Sequence, residues 1–318
     1  MKEAARLHTA SFAQRRSGIW RRAGRRLIMD RYMYLLALPG LIYYFIFHYL
    51  PMLGITIAFQ DYNAFLGFSG SDWVGFKHFE RLFSHPDFWL VFRNTMMISL
   101  LNIVFFFPTP IALALMLNEL RISLYKRVLQ TLLYLPHFLS WVVICILTIT
   151  LMSSTGFVTH MIQWLGFDVQ PLLDKSLFWG IITIQSIWKD AGWGTIIFLA
   201  ALAGINPDLY EAATMDGANR WQQMRFITVP SIMSTIVILL ILRLGQILNL
   251  SFDQLYIMGN AIVRDVAEVF DTYVYKVGVV QGNFSFATAV GIFKSVIGLL
   301  LVLGTNYLSR KTSEHSLF

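Results

Sequence analysis

Few side chains in this sequence have the type and spacing of catalytic groups. The histidines His48, His137 and His160 stand apart, without a nearby acid or a second histidine at metal-binding spacing. The patterns GxSxG, HExxH and CxxC are absent, and so is the phosphate-binding pattern GxxxxGK followed by Ser or Thr. We therefore predict no catalytic residues, no metal site and no cofactor in this chain.

The densest group of charged and apolar side chains lies in residues 205–230, INPDLYEAATMDGANRWQQMRFITVP. The pattern predicts a helix over residues 208–215, a left-handed turn at Gly217 and a second helix over residues 220–227 that ends before Pro230. Glu211 and Asp216 are five residues apart and face different sides of a helix, which argues against a catalytic acid pair. Small, acidic and aromatic side chains suit a surface held by another protein. The predicted contact residues are Glu211, Ala212, Ala213, Asp216, Gly217, Ala218, Trp221 and Phe226.

Four charges interrupt otherwise apolar segments: Lys189, Asp190, Arg243 and Lys294. Each costs roughly 2.5 to 3.5 kcal/mol on insertion scales unless it is satisfied. Two explanations stay open: the cations pair with Asp190, Asp253 or a partner chain and hold helices together, or they form a basic wall in an outward-facing cavity. We also predict a helix break at residues 189–192. The predicted cavity residues are Trp188, Lys189, Trp193, Arg243, Asn249, Phe252, Gln254, Tyr256 and Lys294.

The elements that must position these residues are membrane helices. Of the 318 residues 56% are hydrophobic and 14% charged, against about 25% charged in soluble domains. Nine of the 25 Lys and Arg residues lie in residues 1–31, so the basicity is mostly a tail and does not indicate nucleic-acid binding. We predict an all-α membrane protein with a basic tail (1–31), a membrane domain (32–311) and a short tail (312–318). The six predicted spans are residues 32–59, 95–117, 131–152, 176–205, 231–250 and 284–308.

The distribution of positive charge predicts the orientation of these spans. With the N-terminus inside, 16 Lys and Arg residues lie on the inner side and five on the outer side. The positive-inside rule therefore places both termini in the cytoplasm. On the outer side, Phe76, Phe79 and Phe83 share one helical face, which predicts a short amphipathic helix within residues 60–87.

The 205–230 loop resembles a known motif. Glu211-Ala212-Ala213, followed by Asp216-Gly217-Ala218 and Pro230, resembles the EAA loop of ABC-importer permeases. The six-span layout, Trp188 ahead of Gly192, the Ile205-Asn206-Pro207 step and the outer Phe252-Asp253 pair are similar to the carbohydrate branch of that family, nearest to its permeases for oligosaccharides and complex polysaccharides. Asn206 is a small departure, because the family usually carries Ile-Pro.

The resemblance implies a type I ABC-importer permease that moves an oligosaccharide by alternating access. It also implies a second paralogous permease as heterodimer partner, two copies of a cytoplasmic ABC ATPase that bind ATP and Mg, and an extracellular or periplasmic sugar-binding protein. The loop would dock into the ATPase, the chain would sit in a bacterial inner membrane, and the basic wall favours an acidic, uronate-type sugar. The alternatives are an ion-coupled secondary transporter, with Lys189, Asp190 and Lys294 as ion sites, or a membrane-embedded enzyme acting on lipid or glycan.

Overall fold

The computed structural model describes residues 29–312, with side chains described as far as Tyr307. Most of the predicted basic tail (1–31) and most of the predicted end segment (312–318) lie outside the described residues. By packing, the chain divides into one unit that ends at Thr56 and a second that begins at Ile57.

The first unit is a long apolar helix. Helix α1, Arg31–Tyr44, continues into a π-helical turn, Phe45–Tyr49, and a 3-10 segment, Leu50–Phe59, that runs past the boundary of the unit. Together they form a candidate membrane span, Arg31–Phe59, close to the predicted span 32–59. Pro39 lies inside the helix. None of the α1 side chains is buried, as expected of a helix whose surface meets lipid.

The second unit carries the remaining described elements. Its early helices are α2 (Gly67–Gly70), α3 (Lys77–Ser84), α4 (Pro86–Leu101), α5 (Pro108–Glu119), α6 (Ser123–Tyr134), α7 (Trp141–Met152), α8 (Phe157–Trp164) and α9 (Lys175–Ala203). The later ones are α10 (Asp208–Met215), α11 (Arg220–Gln223), α12 (Val229–Ser231), α13 (Met233–Gly245), α14 (Phe252–Met258), α15 (Arg264–Ala267), α16 (Phe270–Val274) and α17 (Phe284–Thr312). The α4–α5, α11–α12 and α16–α17 connections contain the π-helical turns Asn102–Phe106, Met224–Thr228 and Tyr275–Val280.

A small sheet departs from the all-α prediction. Strand β1, Gln60–Asp61, pairs antiparallel with β2, Asp72–Trp73, with Gln60 opposite Trp73.

The predicted amphipathic helix is present as α3, but its buried side chains are His78 and Leu82. Phe76 and Phe83 are more than half exposed.

Four helical segments of the described chain are long and apolar enough to cross a membrane, and two bent helix pairs could add two more. Besides Arg31–Phe59 these are Pro86–Glu119, Trp141–Trp164 and Phe284–Tyr307. The bent pairs are Lys175–Ala203 with Asp208–Met215, at 71°, and Arg220–Ser231 with Met233–Gly245, at 56°. The chain is therefore a multi-pass membrane protein with four to six candidate spans.

The second and third predicted spans differ from the observed helices at the residues where they begin. The second begins at Pro86 rather than at residue 95, because the guanidinium of Arg93 donates to the carbonyl of Asp265 and the charge therefore does not end the helix. The third is interrupted by a 3-10 turn, Leu135–Phe138, and restarts at α7 with Ser140 as its N-cap. Pro136 lacks a backbone N–H and disturbs a continuous helix at that point.

The predicted break at residues 189–192 is wrong, since α9 continues from Lys175 to Ala203. Gly192 serves packing instead. A Cβ built on Gly192 would lie 2.0 Å from the carbonyl oxygen of Leu133, so the absent side chain allows the backbones to approach. Lys189 is accommodated in the helix because its ammonium bonds to backbone oxygens of another segment. Helix α9 is thus the continuous central element of the second unit.

Candidate functional site

A polar cavity of about 380 Å³ lies beside the middle of α9. Its walls come from α4, the π turn Asn102–Phe106, the segment around Pro136, the start of α7, α9, the end of α13, α14 and the connection between α13 and α14. The lining residues are Ile98, Asn102, Phe106, His137, Trp141, Ile182, Ser186, Asp190, Trp193, Gly194, Arg243, Asn249, Leu250, Ser251, Gln254 and Leu255. We call this space the polar cavity.

One wall of the polar cavity joins an imidazole, an indole and a carboxylate. The rings of His137 and Trp193 stack with centroids 4.5 Å apart. Nδ1 of His137 lies 2.8 Å from Oδ1 of Asp190, and both side chains are one third exposed. A flat aromatic surface next to hydrogen-bonding groups is the type of wall that sugars require.

Lys189 fixes the position of this wall through hydrogen bonds to the backbone that carries His137. Its side chain is buried, and Nζ donates to the carbonyl oxygens of His137 at 2.8 Å and Leu139 at 2.6 Å. The same ammonium lies 5.5 Å from the ring centroid of Trp141. The hydrogen bonds of Lys189 therefore hold the turn that carries His137, and Lys189 does not line the polar cavity.

A second wall is a network of amides and hydroxyls. Nε2 of Gln254 donates to the carbonyl of Ile182 at 2.9 Å and to Oε1 of Gln185 at 3.0 Å. Nε2 of Gln185 in turn donates to Oγ1 of Thr148 at 2.7 Å, and the hydroxyl of Ser186 lies 3.4 Å from Oε1 of Gln254. Because Gln254 is buried and paired on several sides, its amide has a fixed orientation at the wall.

Arg243 is the cation of the polar cavity. Its guanidinium carbon lies 5.0 Å from the ring centroid of Phe106. Among residues 29–312 no carboxylate comes within ion-pair distance of this guanidinium, although Asp190 interacts with it electrostatically across the cavity. The Arg243 side chain is exposed, and a guanidinium can offer two parallel donors to a carboxylate.

The structure does not bring Lys189, Arg243 and Lys294 to one wall. Nζ of Lys294 donates to Oδ1 of Asp271 at 2.5 Å, and the lysine side chain is 11% exposed. Lys294 borders a neighbouring cavity instead. Of the two sequence explanations, pairing therefore describes Lys294, with Asp271 rather than Asp190 or Asp253 as its partner.

The other predicted cavity residues divide between surfaces. Trp193, Asn249 and Gln254 line the polar cavity together with Arg243. Trp188 borders a separate, mostly apolar groove formed by α7 and α9. Phe252 stacks on Tyr256 with centroids 5.1 Å apart, and Tyr256 faces a different cavity.

Sequence reasoning did not single out His137, Asn102, Ser186 or Ser251 as cavity residues, and it considered Asp190 only as an intramembrane charge. His137 lies 53 residues from Asp190, so no local spacing joins the two. No group of three or more His, Cys, Asp or Glu side chains in the described part of the chain is arranged to hold a metal ion.

The 205–230 loop has the predicted first helix and turn. Helix α10 covers Asp208–Met215, and Gly217 has φ +79°. The second helix begins at Arg220, where Asn219 and Gln222 form a capping box. It does not end before Pro230: the wider π turn Met224–Thr228 carries the chain into α12, and Pro230 falls in the first turn of α12, where its missing N–H is tolerated.

Internal hydrogen bonds hold this loop in shape while its predicted contact residues face outward. The hydroxyls of Tyr210 and Thr228 lie 2.9 Å apart, and Nε2 of Gln223 donates to Thr214 at 3.0 Å. Ala213 and Ala218 are half-buried. The exposed members of the predicted set are Glu211, Ala212, Asp216, Gly217, Trp221 and Phe226. Large apolar side chains on a rigid exposed loop are typical of a surface that a partner covers.

Known proteins resemble this chain in sequence and in fold. Residues 106–314 match the family described as binding-protein-dependent transport system inner membrane component. Protein LplB of Bacillus subtilis (strain 168) is 50% identical over 91% of this chain and 92% of that protein. The polygalacturonan/rhamnogalacturonan transport system permease protein YteP of the same organism is 50% identical over 92% of each chain.

Solved structures agree in fold. A chain from the crystal structure of a bacterial ABC transporter involved in the import of the acidic polysaccharide alginate superposes with a TM-score of 0.85 at 40% identity, covering 92% of this chain and 99% of that one. A chain from the crystal structure of a bacterial alginate ABC transporter in complex with an alginate pentasaccharide-bound periplasmic protein matches with a TM-score of 0.85 at 39% identity. These likenesses decide against the secondary-transporter and membrane-enzyme alternatives. The chain belongs to the binding-protein-dependent transport system inner membrane component family and is an ABC-transporter permease subunit.

Proposed function

We propose that this chain is the permease of a sugar importer in a bacterial inner membrane and translocates an acidic, uronate-type oligosaccharide by alternating access. A second paralogous permease completes the pore, two copies of an ABC ATPase bind ATP and Mg, and an extracellular or periplasmic binding protein delivers the sugar. Residues 32–311 form a six-span domain with both termini in the cytoplasm, in which each bent helix pair contributes one span. The charge count of 16 inside against five outside supports this topology.

The proposal of an acidic substrate rests on one observation, the lack of a direct carboxylate partner for Arg243 in the polar cavity. A cation in a membrane domain is costly unless it has a counter-charge, and in the described part of the chain no carboxylate pairs directly with this one. A uronate carboxylate would supply the missing anion through two charge-assisted hydrogen bonds. The stacked His137 and Trp193 rings add an aromatic face that orients a sugar ring.

The relatives support the same substrate class. YteP carries polygalacturonan and rhamnogalacturonan in its name, and the matched crystal structures belong to an importer of alginate, an acidic polysaccharide. Both relatives cover more than nine tenths of this chain, so the likeness includes the membrane region that holds the polar cavity.

We assign ATPase coupling to residues 205–230. The exposed Glu211, Trp221 and Phe226 give this surface one charged and two aromatic anchors, the residue types that dominate protein interfaces. Helix α10 is joined to α9 at a 71° bend, so a pull on α10 is transmitted to the helix that carries Asp190 and Trp193. The polar cavity thereby responds to the nucleotide state of the ATPases.

The test compares an acidic oligosaccharide with its carboxyl-reduced counterpart in proteoliposomes that contain the complete transporter. The wild type should import the acidic sugar with higher affinity, and Arg243→Gln should lower that affinity about tenfold while it leaves the neutral sugar unaffected. Arg243→Lys is the matched control, because it keeps the charge but loses the paired donors. Equal use of both sugars by the wild type would refute the acidic substrate.

A further inference from the structure

A second cavity, of about 410 Å³, lies on the connection between α13 and α17. In the proposed topology this connection faces outward. Its lining includes two tyrosines, Tyr256 and Tyr275, and an ionic group made of Arg264, Glu268 and Lys276. We call it the outer cavity. The volume falls within the range of small-molecule sites, about 300 to 1,000 Å³.

The outer cavity carries an excess of positive charge held in place by one acid. Glu268 is buried, with its side chain 9% exposed, and accepts from Nε of Arg264 at 3.0 Å and from Nζ of Lys276 at 3.2 Å. The hydrogen bond to this carboxylate raises the pKa of the Arg264 guanidinium. One carboxylate serves two cations, so the group is cationic by one charge. The hydrogen bonds among the described residues use only Nε of Arg264, which leaves its two terminal nitrogens as donors.

An aromatic surface adjoins these cations. Tyr256 is 55% exposed and stacks on Phe252, with ring planes 18° apart. Tyr275 meets Tyr256 edge to face at 5.4 Å. Neither tyrosine hydroxyl has a hydrogen-bond partner among the described residues. A fixed aromatic face with free hydroxyls beside a cation is a combination that binds a sugar ring bearing a carboxylate.

The outer cavity and the polar cavity share a wall. Leu255 lines both spaces and is 2% exposed. Its neighbours on α14 divide between them, with Gln254 on the polar cavity and Tyr256 on the outer cavity. The single short helix Phe252–Met258 is therefore the partition between the two cavities.

We propose that the outer cavity is a second sugar subsite, which binds one uronate residue of the oligosaccharide before that residue enters the polar cavity. The terminal nitrogens of Arg264 and the ammonium of Lys276 bind the carboxylate, and Tyr256 packs against the sugar ring. This inference rests on the proposed function, because it assumes an acidic oligosaccharide as cargo. A phosphate would engage the cations but would leave the tyrosine face unused, which favours the sugar over a lipid headgroup.

The test uses the complete transporter in nanodiscs of neutral lipid, without binding protein, and a fluorescently labelled trigalacturonate as probe. The variant replaces Arg264, Glu268 and Lys276 together by glutamine, so that no charge is left buried and unpaired. Its affinity for the probe should fall about tenfold, whereas Lys77→Gln, which removes an exposed cation paired with Asp61, should leave it unchanged. Tyr256→Leu keeps every charge and should weaken the labelled acidic trimer and its carboxyl-reduced form several-fold alike.

Each alternative has its own result. Unchanged trigalacturonate affinity in both the glutamine variant and Tyr256→Leu overturns the subsite and leaves the proposed function standing, provided the wild type still prefers the acidic sugar. A wild type without that preference refutes the proposed function itself. If the glutamine variant weakens trigalacturonate binding only in nanodiscs of anionic lipid, the outer cavity is a headgroup site and the proposal is overturned. Weaker docking of the binding protein with unchanged trigalacturonate affinity also overturns it, since the cavity would then be a protein contact.

Discussion

The imidazole of His137 lies parallel to the indole of Trp193, with ring centroids 4.5 Å apart and planes 5° from parallel. Nδ1 of the same imidazole lies 2.8 Å from the carboxylate of Asp190. The stacked rings thus hold Asp190 at the wall of the polar cavity, where its charge acts on Arg243. The net charge that a substrate meets is therefore a balance between Asp190 and Arg243.

Removing the charge of Asp190 and removing the charge of Arg243 should change the affinity for an acidic oligosaccharide in opposite directions. Asp190→Asn removes the negative charge that competes with a substrate carboxylate for Arg243, so the affinity for an acidic oligosaccharide should rise about fivefold. Arg243→Gln should lower it. The measurement is competition binding to the reconstituted transporter. The carboxyl-reduced sugar is the control and should respond to neither change, and a fall of acidic-sugar affinity in both variants would contradict the balance.

The ion pair of Lys294 and Asp271 should act on stability rather than on substrate charge. Both side chains are mostly buried, at 11% and 25% exposed, and Lys294→Gln leaves the carboxylate without its cation. We expect a loss of about 2 to 4 kcal/mol in the free energy of unfolding. The double variant Lys294→Gln with Asp271→Asn should recover much of it, measured by chemical denaturation in detergent. A double variant as unstable as the single one would argue against the pair.

The proposed topology predicts where reporters fused to the chain will lie. A reporter after Lys311 should be cytoplasmic and one inserted near Gly166, in the connection after α8, should be external, because the positive charge is concentrated on the inner side. Protease protection of the two fusions in cells measures this. An external reporter after Lys311 would reverse the orientation of the whole domain.

The sequence was sufficient for structure that depends on local signals. Pro207, Gly217 and the residues between them predict the bounds of α10 and the left-handed turn because both are decided within a few residues. The sequence also identifies Arg243 as an unusual charge. It could not assign Lys189 and Lys294 to their partners, since the His137 carbonyl and Asp271 lie on other segments.

Gly192 shows the same limit in packing. A glycine beside two charges is consistent with a broken helix or with close backbone contact, and the distant Leu133 carbonyl decides for contact. No spacing within α9 reveals which segment will pack on it. The family resemblance located the motif and the fold, but the division of side chains between the polar cavity and the outer cavity depends on tertiary packing.

Adding one methyl group at Gly192 should separate α9 from the segment that it packs against. Gly192→Ala would place Cβ 2.0 Å from a backbone oxygen, and overpacking of this kind costs about 1 to 3 kcal/mol. Gly180→Ala in the same helix is the matched control, because its Cβ meets no atom within 4 Å. The control should be neutral or more stable through its helix propensity. Equal unfolding midpoints for the two variants would contradict the close contact.

Gly217 should link ATP hydrolysis to transport through the shape of the 205–230 loop. Its φ of +79° is strained for a β-branched residue, while a Cβ there would meet no atom within 4 Å, so Gly217→Val acts on the backbone alone, at a cost of about 1 to 3 kcal/mol. We expect Gly217→Val to insert normally yet raise the number of ATP molecules hydrolysed per sugar imported. Gly217→Asn, which tolerates the left-handed region, should stay near wild type.

Glu211→Lys, a charge reversal on the exposed surface of α10, should instead weaken ATPase binding. Wild-type coupling ratios and wild-type ATPase binding in Gly217→Val and Glu211→Lys would remove the loop from the coupling mechanism.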